Sequence, residues 1–209
     1  MRNIFITIVL AVLLLSPIAD GKIFVGKILY KHSFTDLKGN DITSRLAPVF
    51  GLEQLYYIDR ENYKALDELN NWKQLYNSKS NTYFYFSDKK SVQKLDASVQ
   101  SAQKIKVTRL NKQEKVAGYI CSGLQIEKGN TTTIYYYSPL VKTEVKVFSK
   151  HNLGEWNQYL EATEGALPLK FVMTNHKDSY VWTAVATQVS KMKLMEKDFE
   201  FPEGYKLQD

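Results

Sequence analysis

One cysteine, Cys121, stands among 209 residues, and the three histidines, His32, His151 and His176, lie far apart. A lone cysteine excludes an intramolecular disulfide, so the fold must be held by its core. The chain is long enough for that, since a domain of this size buries about 70% of its unfolded surface. No Cys-x-x-Cys or His-x-x-x-His spacing seeds a transition-metal site, and Asp36 to Asp41 is too short for a calcium loop, so no cofactor is expected. No Gly-x-Ser-x-Gly elbow offers a nucleophile. Cys121 sits among Tyr119, Ile120 and Leu124, where a thiol behaves as a small hydrophobe. Gly21 to Ile28 mimics a phosphate loop but carries Ile28 where a hydroxyl must ligate magnesium. Carboxylates at Glu161 and Glu164, or Glu196, Asp198 and Glu200, read as decoration of a helix or strand end rather than as a hydrolytic pair. The expectation is a protein that is not an enzyme. A hydrolase remains open only if distant carboxylates or histidines converge in a cleft.

Also missing is an apolar run of the ~20 residues needed to cross a bilayer. The longest, Ile4 to Leu15, follows Met1 and Arg2 and precedes Ser16-Pro17-Ile18-Ala19-Asp20-Gly21. A short positive end, a greasy centre and a small-residue segment make a secretory signal peptide over residues 1–21, with an uncleaved anchor as the alternative. Export without a disulfide fits a bacterial periplasm. A lipoprotein needs cysteine directly after cleavage, and none is there, so residues 22–209 read as one soluble, unanchored domain. Asn130-Thr131-Thr132, formally a glycosylation acceptor, is there only a hairpin turn.

Charge adds little. Removing residues 1–21 takes away Arg2 and Asp20, leaving the formal net charge at +6. The lysines are spread along the chain as on solvated strand faces, and nucleic acid is not an expected partner.

What the chain does have is 14 Tyr and 10 Phe in short alternating runs. Ile23 to Phe34, Leu52 to Ile58, Tyr63 to Leu66, Thr82 to Phe86, Ile105 to Leu110, Val116 to Ile126, Thr131 to Tyr137, Leu167 to Thr174, Tyr180 to Val189 and Lys191 to Lys197 read as strands. Asn111-Lys112-Gln113-Glu114 and Lys128-Gly129-Asn130 read as turns. Ile42 to Phe50 is ambiguous, with Pro48 inside it. Gly154 to Glu164 is the one good helical pattern: Trp156, Tyr159, Leu160 and Thr163 share a face and Gly165 stops it. The fold class is mainly β, one strongly curved antiparallel sheet with one or two helices on its concave side.

Two runs, Tyr83-Phe84-Tyr85-Phe86 and Ile134-Tyr135-Tyr136-Tyr137, are apolar on both faces, unlike a sheet with one wet side. One face can serve the core while the other lines a cavity or takes a packed helix. The residues expected to line such a cavity are Leu55, Tyr57, Tyr83, Tyr85, Ile134, Tyr136, Phe171 and Trp182, although a one-residue shift in register exchanges faces.

Val116-Ala117-Gly118-Tyr119-Ile120-Cys121 after a polar hairpin, Gly165-Ala166-Leu167-Pro168-Leu169-Lys170-Phe171, the Ala184 to Val189 alternation and the Phe199 to Tyr205 tail resemble exported bacterial domains that share the fold of the lipoprotein carrier LolA and its receptor LolB. The resemblance spans roughly Ile105 to Tyr205. It implies an unclosed half-barrel whose concave face takes up acyl chains. The resulting expectation is a periplasmic carrier of a lipid or other apolar ligand. The alternative is an envelope protein that binds a protein partner, its concave face filled by its own helices.

Overall fold

The computed structural model describes residues 22–87 and 90–208. The segment read as a signal peptide, residues 1–21, lies outside the described residues. The strands are β1 (Gly26–Asp36), β2 (Glu53–Ile58), β3 (Asn62–Asp67), β4 (Trp72–Asn77), β5 (Thr82–Phe86), β6 (Ser91–Asp96), β7 (Ile105–Val116), β8 (Tyr119–Lys128), β9 (Thr131–Lys142), β10 (Ala166–Asn175), β11 (Tyr180–Lys191) and the short β12 (Lys206–Leu207). Helix α1 (Thr43–Phe50) joins β1 to β2, and α2 (Trp156–Ala162) lies between β9 and β10. All strands form one open sheet in the order β12-β6-β5-β4-β3-β2-β1-β11-β10-β9-β8-β7. Among the described residues, only the β12–β6 pair is parallel. Two meanders, β1 to β6 and β7 to β11, are thus joined where β1 pairs with β11.

The sheet bends sharply around α2. Four strands separate β3 from β9, so a flat sheet would set them about 24 Å apart. Yet the rings of Tyr63 on β3, Trp156, Tyr159 and Tyr135 on β9 connect in steps of 6.3, 5.4 and 4.6 Å. Tyr159 and Leu160 are fully buried beneath this arch. The helical pattern read over Gly154 to Glu164 therefore holds in its centre, with a 3-10 turn at Leu153–Glu155 ahead of it. Its end is fixed by Gly165, whose N–H donates to the Leu160 carbonyl at 2.8 Å. The ambiguous segment before β2 is helical despite Pro48, with Asp41 accepting from the Thr43 N–H at 2.8 Å.

Both sheet faces are greasy because both are covered. The concave core holds Ile28, Tyr30, Tyr56, Ile58, Tyr63, Tyr76, Leu124 and Leu169. The convex face of β4 to β6 carries Leu75, Phe86 and Val92, roofed by Phe199 and Tyr205 of the C-terminal segment. Lys64 secures that roof. Its ammonium lies 4.8 Å from the Trp72 ring and 5.8 Å from the Phe199 ring, and it donates to the Asp198 carbonyl at 2.5 Å. Partial burial lowers the Lys64 pKa, opposed by the Asp198 charge.

Two expected boundaries move. Asn111 to Glu114 is not a turn. Residues 105–116 form one edge strand with an irregularity between Leu110 and Gln113, and a solvated edge tolerates that polar stretch. The chain reverses instead at Ala117 and Gly118, with φ of 47° and 88°, the mirror-image two-residue turn that suits a twisted hairpin. Lys191 to Lys197 is not a separate strand. β11 runs to Lys191, and the chain then crosses to a 3-10 turn at Glu196–Phe199 on the convex side.

Gly165 combines a φ of +86° with crowding: a Cβ there would meet the Thr143 carbonyl oxygen at 2.4 Å. Gly165→Ala is expected to cost roughly 2–4 kcal/mol, from the left-handed backbone plus the displaced β9–β10 junction. Urea unfolding checks this: a midpoint unchanged from wild type contradicts the packing described.

Candidate functional site

On the concave side, α2 and the turn before it leave a chamber of about 330 Å³. Its walls are aromatic: Tyr30 and Tyr56 from β1 and β2, Tyr135 from β9, Trp156 from α2, Phe171 from β10 and Trp182 from β11. Met173, Pro168 and Thr133 complete the apolar lining, and Gln54 and Gln74 bring amides. None of the lining residues is Asp, Glu, Lys, Arg or His. Tyr30 donates its hydroxyl proton to the Pro168 carbonyl at 2.6 Å, fixing one wall across the sheet. Desolvation holds the phenols of Tyr30 and Tyr56 far above their usual pKa and that of Tyr135 at about 12, so all three stay neutral.

The chamber adjoins two others. A polar mouth of about 410 Å³ shares Thr133, Tyr135, Gly154 and Met173 with it and reaches Lys128, Glu155, Lys177 and Asp178 near the hairpin ends. Lys128 and Glu155 form an ion pair there. A third space of about 290 Å³ shares Gln74, Gly154 and Trp156 and reaches Tyr63, Tyr83, Leu95 and His151. Gly154 touches all three, and both it and Glu155 have positive φ, 65° and 58°. That pair of left-handed residues swings the chain into α2 and so sets where the chambers open.

Cross-strand register decides which expected residues can serve. On β10 and β11, Phe171 and Trp182 line the chamber, and Tyr83 on β5 lines the third space. Tyr85 shares that concave face, opposite Gln74, but is 47% exposed. The other four point to the convex face. Leu55 and Tyr57 alternate with Gln54 and Tyr56, while Ile134 and Tyr136 alternate with Thr133 and Tyr135. The eight therefore do not line one cavity. On the convex side Tyr57 joins the cluster roofed by Phe199. Tyr136 lies under the Lys170 ammonium, 5.1 Å from its ring centre, while Lys170 itself is paired with Glu114 at 2.7 Å.

The chamber residues not anticipated are Tyr30, Gln54, Tyr56, Gln74, Thr133, Tyr135, Gly154, Trp156, Pro168 and Met173. Neither β2 nor β9 carries the signal in its own residues: Tyr56 is turned inward by its pairing with Ile28, and Ile134 to Tyr137 is apolar both ways. Among the described residues, no three His, Cys, Asp or Glu side chains gather where a metal ion would fit. No described helix is long and apolar enough to cross a membrane.

A mainly β, open half-barrel with a helix-bounded aromatic chamber is the class that fold and site define. No protein-family model and no curated protein matches the chain. Among solved structures, one of PNGF-II superposes with a TM-score of 0.52 at 16% identity, over 89% of this chain and 31% of that one. A second crystal form gives 0.49 at 15% identity, over 87% and 30%. The chain thus spans about a third of the length of PNGF-II. A domain assigned to outer membrane lipoprotein sorting in Vibrio parahaemolyticus gives 0.33 at 10% identity, over 84% and 88%. The first likeness is one of fold alone, and the other two are too loose to define a shared fold.

His151 gives the site a measurable pH signature. Burial lowers its pKa to about 4, and the ring stacks on Tyr76 at 4.2 Å. The neutral imidazole shares a hydrogen bond between its Nε2 and the Tyr63 hydroxyl, 2.6 Å away. A folded-state pKa below the unfolded value of 6.5 means that the unfolded chain binds the proton first. Stability from this group is therefore full above pH 6.5 and lost as pH falls toward 4, by about 3 kcal/mol. Urea unfolding at pH 7.5 and 4.5 is expected to show that this part of the acid loss is absent in His151→Gln. Equal acid sensitivity in both proteins contradicts the assignment.

Proposed function

We propose that this chain is an exported binding protein, not an enzyme, that carries a lipid or other apolar ligand in its half-barrel. The observation that carries the reading is the aromatic chamber of about 330 Å³ beneath α2, at the lower end of the usual range for small-ligand sites. A ligand methylene moved from water into such a lining gains ~0.8 kcal/mol, so holding an acyl chain requires no reactive group. The adjoining polar mouth suits an amphiphile, with its tail among the rings and its other end near water. The signal peptide read over residues 1–21 gives the setting, a periplasm or the exterior, where an apolar molecule crosses water only when held. The sequence resemblance to lipoprotein carriers points the same way. The second reading, a partner-binding envelope protein, draws on α2, which fills part of the concave face with Tyr159 and Leu160.

Native mass spectrometry of protein purified from cells is expected to show co-purified lipid, and an environment-sensitive naphthyl dye is expected to bind. Met173→Trp, which narrows the chamber and the mouth together, should weaken dye binding at least tenfold while the far-UV spectrum stays wild type. A lipid-free protein that ignores the dye favours the partner-binding reading instead.

A further inference from the structure

We propose that the ligand is an uncharged amphiphile of the monoacylglycerol kind, an acyl chain with a neutral, oxygen-bearing head, rather than a fatty-acid anion. This rests on the carrier reading above. Two features of the chamber carry it. The first is the balance of charge. The lining contains no ionisable side chain except phenols that burial keeps neutral. At the polar mouth Lys128 is already paired with Glu155, and Lys177 stands outside the chamber lining. A carboxylate buried among the chamber rings would find no cation in the lining and would lose its hydration uncompensated.

The second feature is a pair of uncommitted amides. Gln54 on β2 and Gln74 on β4 flank β3 on the concave face, Gln54 opposite Asp67 and Gln74 opposite Ala65. Ala65 is fully buried and small, so no ring of β3 stands at that point between them. Both amides are half-buried, and neither makes a side-chain hydrogen bond among the described residues. An amide presents donors and an acceptor together. Such a pair matches an ester carbonyl, which accepts, and hydroxyls, which donate and accept, and gives a carboxylate no counter-charge. A purely hydrocarbon ligand would leave both amides partly desolvated and unanswered.

The test compares 1-monodecanoylglycerol with decanoate at pH 7.5, read by quenching of the intrinsic tryptophan fluorescence of Trp156 and Trp182 and by calorimetry. The neutral ester is expected to bind at least tenfold more tightly. Gln74→Lys, which places a cation at the chamber wall, should invert that preference, and Gln54→Leu with Gln74→Leu should abolish it by weakening the ester at least tenfold. Decanoate binding as tightly as the ester, with the dye still bound, overturns this inference and leaves the carrier reading standing. Failure of ester, decanoate and dye alike overturns the carrier reading.

Discussion

A sheet of twelve strands that does not close has two broad faces and two edges, and water cannot be allowed to wet both faces when both are built of aromatic side chains. The rest of the structure answers that constraint. The sheet bends so that β3 and β9 meet through the rings around α2, and the concave face becomes a core. The convex face of β4 to β6 is too curved away to share that core, so the C-terminal segment returns to roof it, tied by Lys64 between aromatic rings. The two edges are handled differently. β6 is partly capped by the parallel β12, while β7 meets solvent as a lysine- and arginine-bearing, irregular strand, the usual defence against edge pairing.

The chamber follows from an incomplete answer to the same constraint. Helix α2 has only seven residues, and its entry is turned by two consecutive left-handed residues, Gly154 and Glu155. Its Tyr159 packs on Tyr135, but it leaves Trp182, Phe171 and Tyr56 around an opening. A chamber formed as the space between a bent sheet and a short helix needs no dedicated loops, and its chemistry is that of strand positions.

The sequence showed fold class, curvature and central helix because each rests on local patterning: alternation in the strands, the Trp156 to Thr163 stripe, and the Gly165 stop. It did not show β4 or β6, where Trp72 to Asn77 and Ser91 to Asp96 mix polar and apolar residues without a clean period. Nor did it show which face of β2 and β9 turns inward. That choice is made by cross-strand partners distant in sequence, Tyr56 with Ile28 and Tyr135 with Phe171. Where both faces end up covered, by α2 within and by Phe199 or the Lys170–Glu114 pair without, the amino acids on each face look alike. Register is then invisible to composition. The helix at residues 43–50 was obscured by Pro48, which a short helix docked by Phe50 on Phe34 and Trp182 tolerates.

The pairing of β1 with β11 has a consequence in time. The strand made first among those described lies beside one made some 150 residues later, and the convex cluster of Leu75, Phe86 and Val92 waits longer still for Phe199. During synthesis from the amino end, the first meander emerges with an unpaired strand on one side and a bare aromatic surface on the other. Neither can be satisfied until almost the whole sheet exists. Such long-range closure folds slowly and exposes sticky intermediates. Until then the half-made sheet keeps apolar surface uncovered, and its passage to the native state waits on the arrival of its final turn.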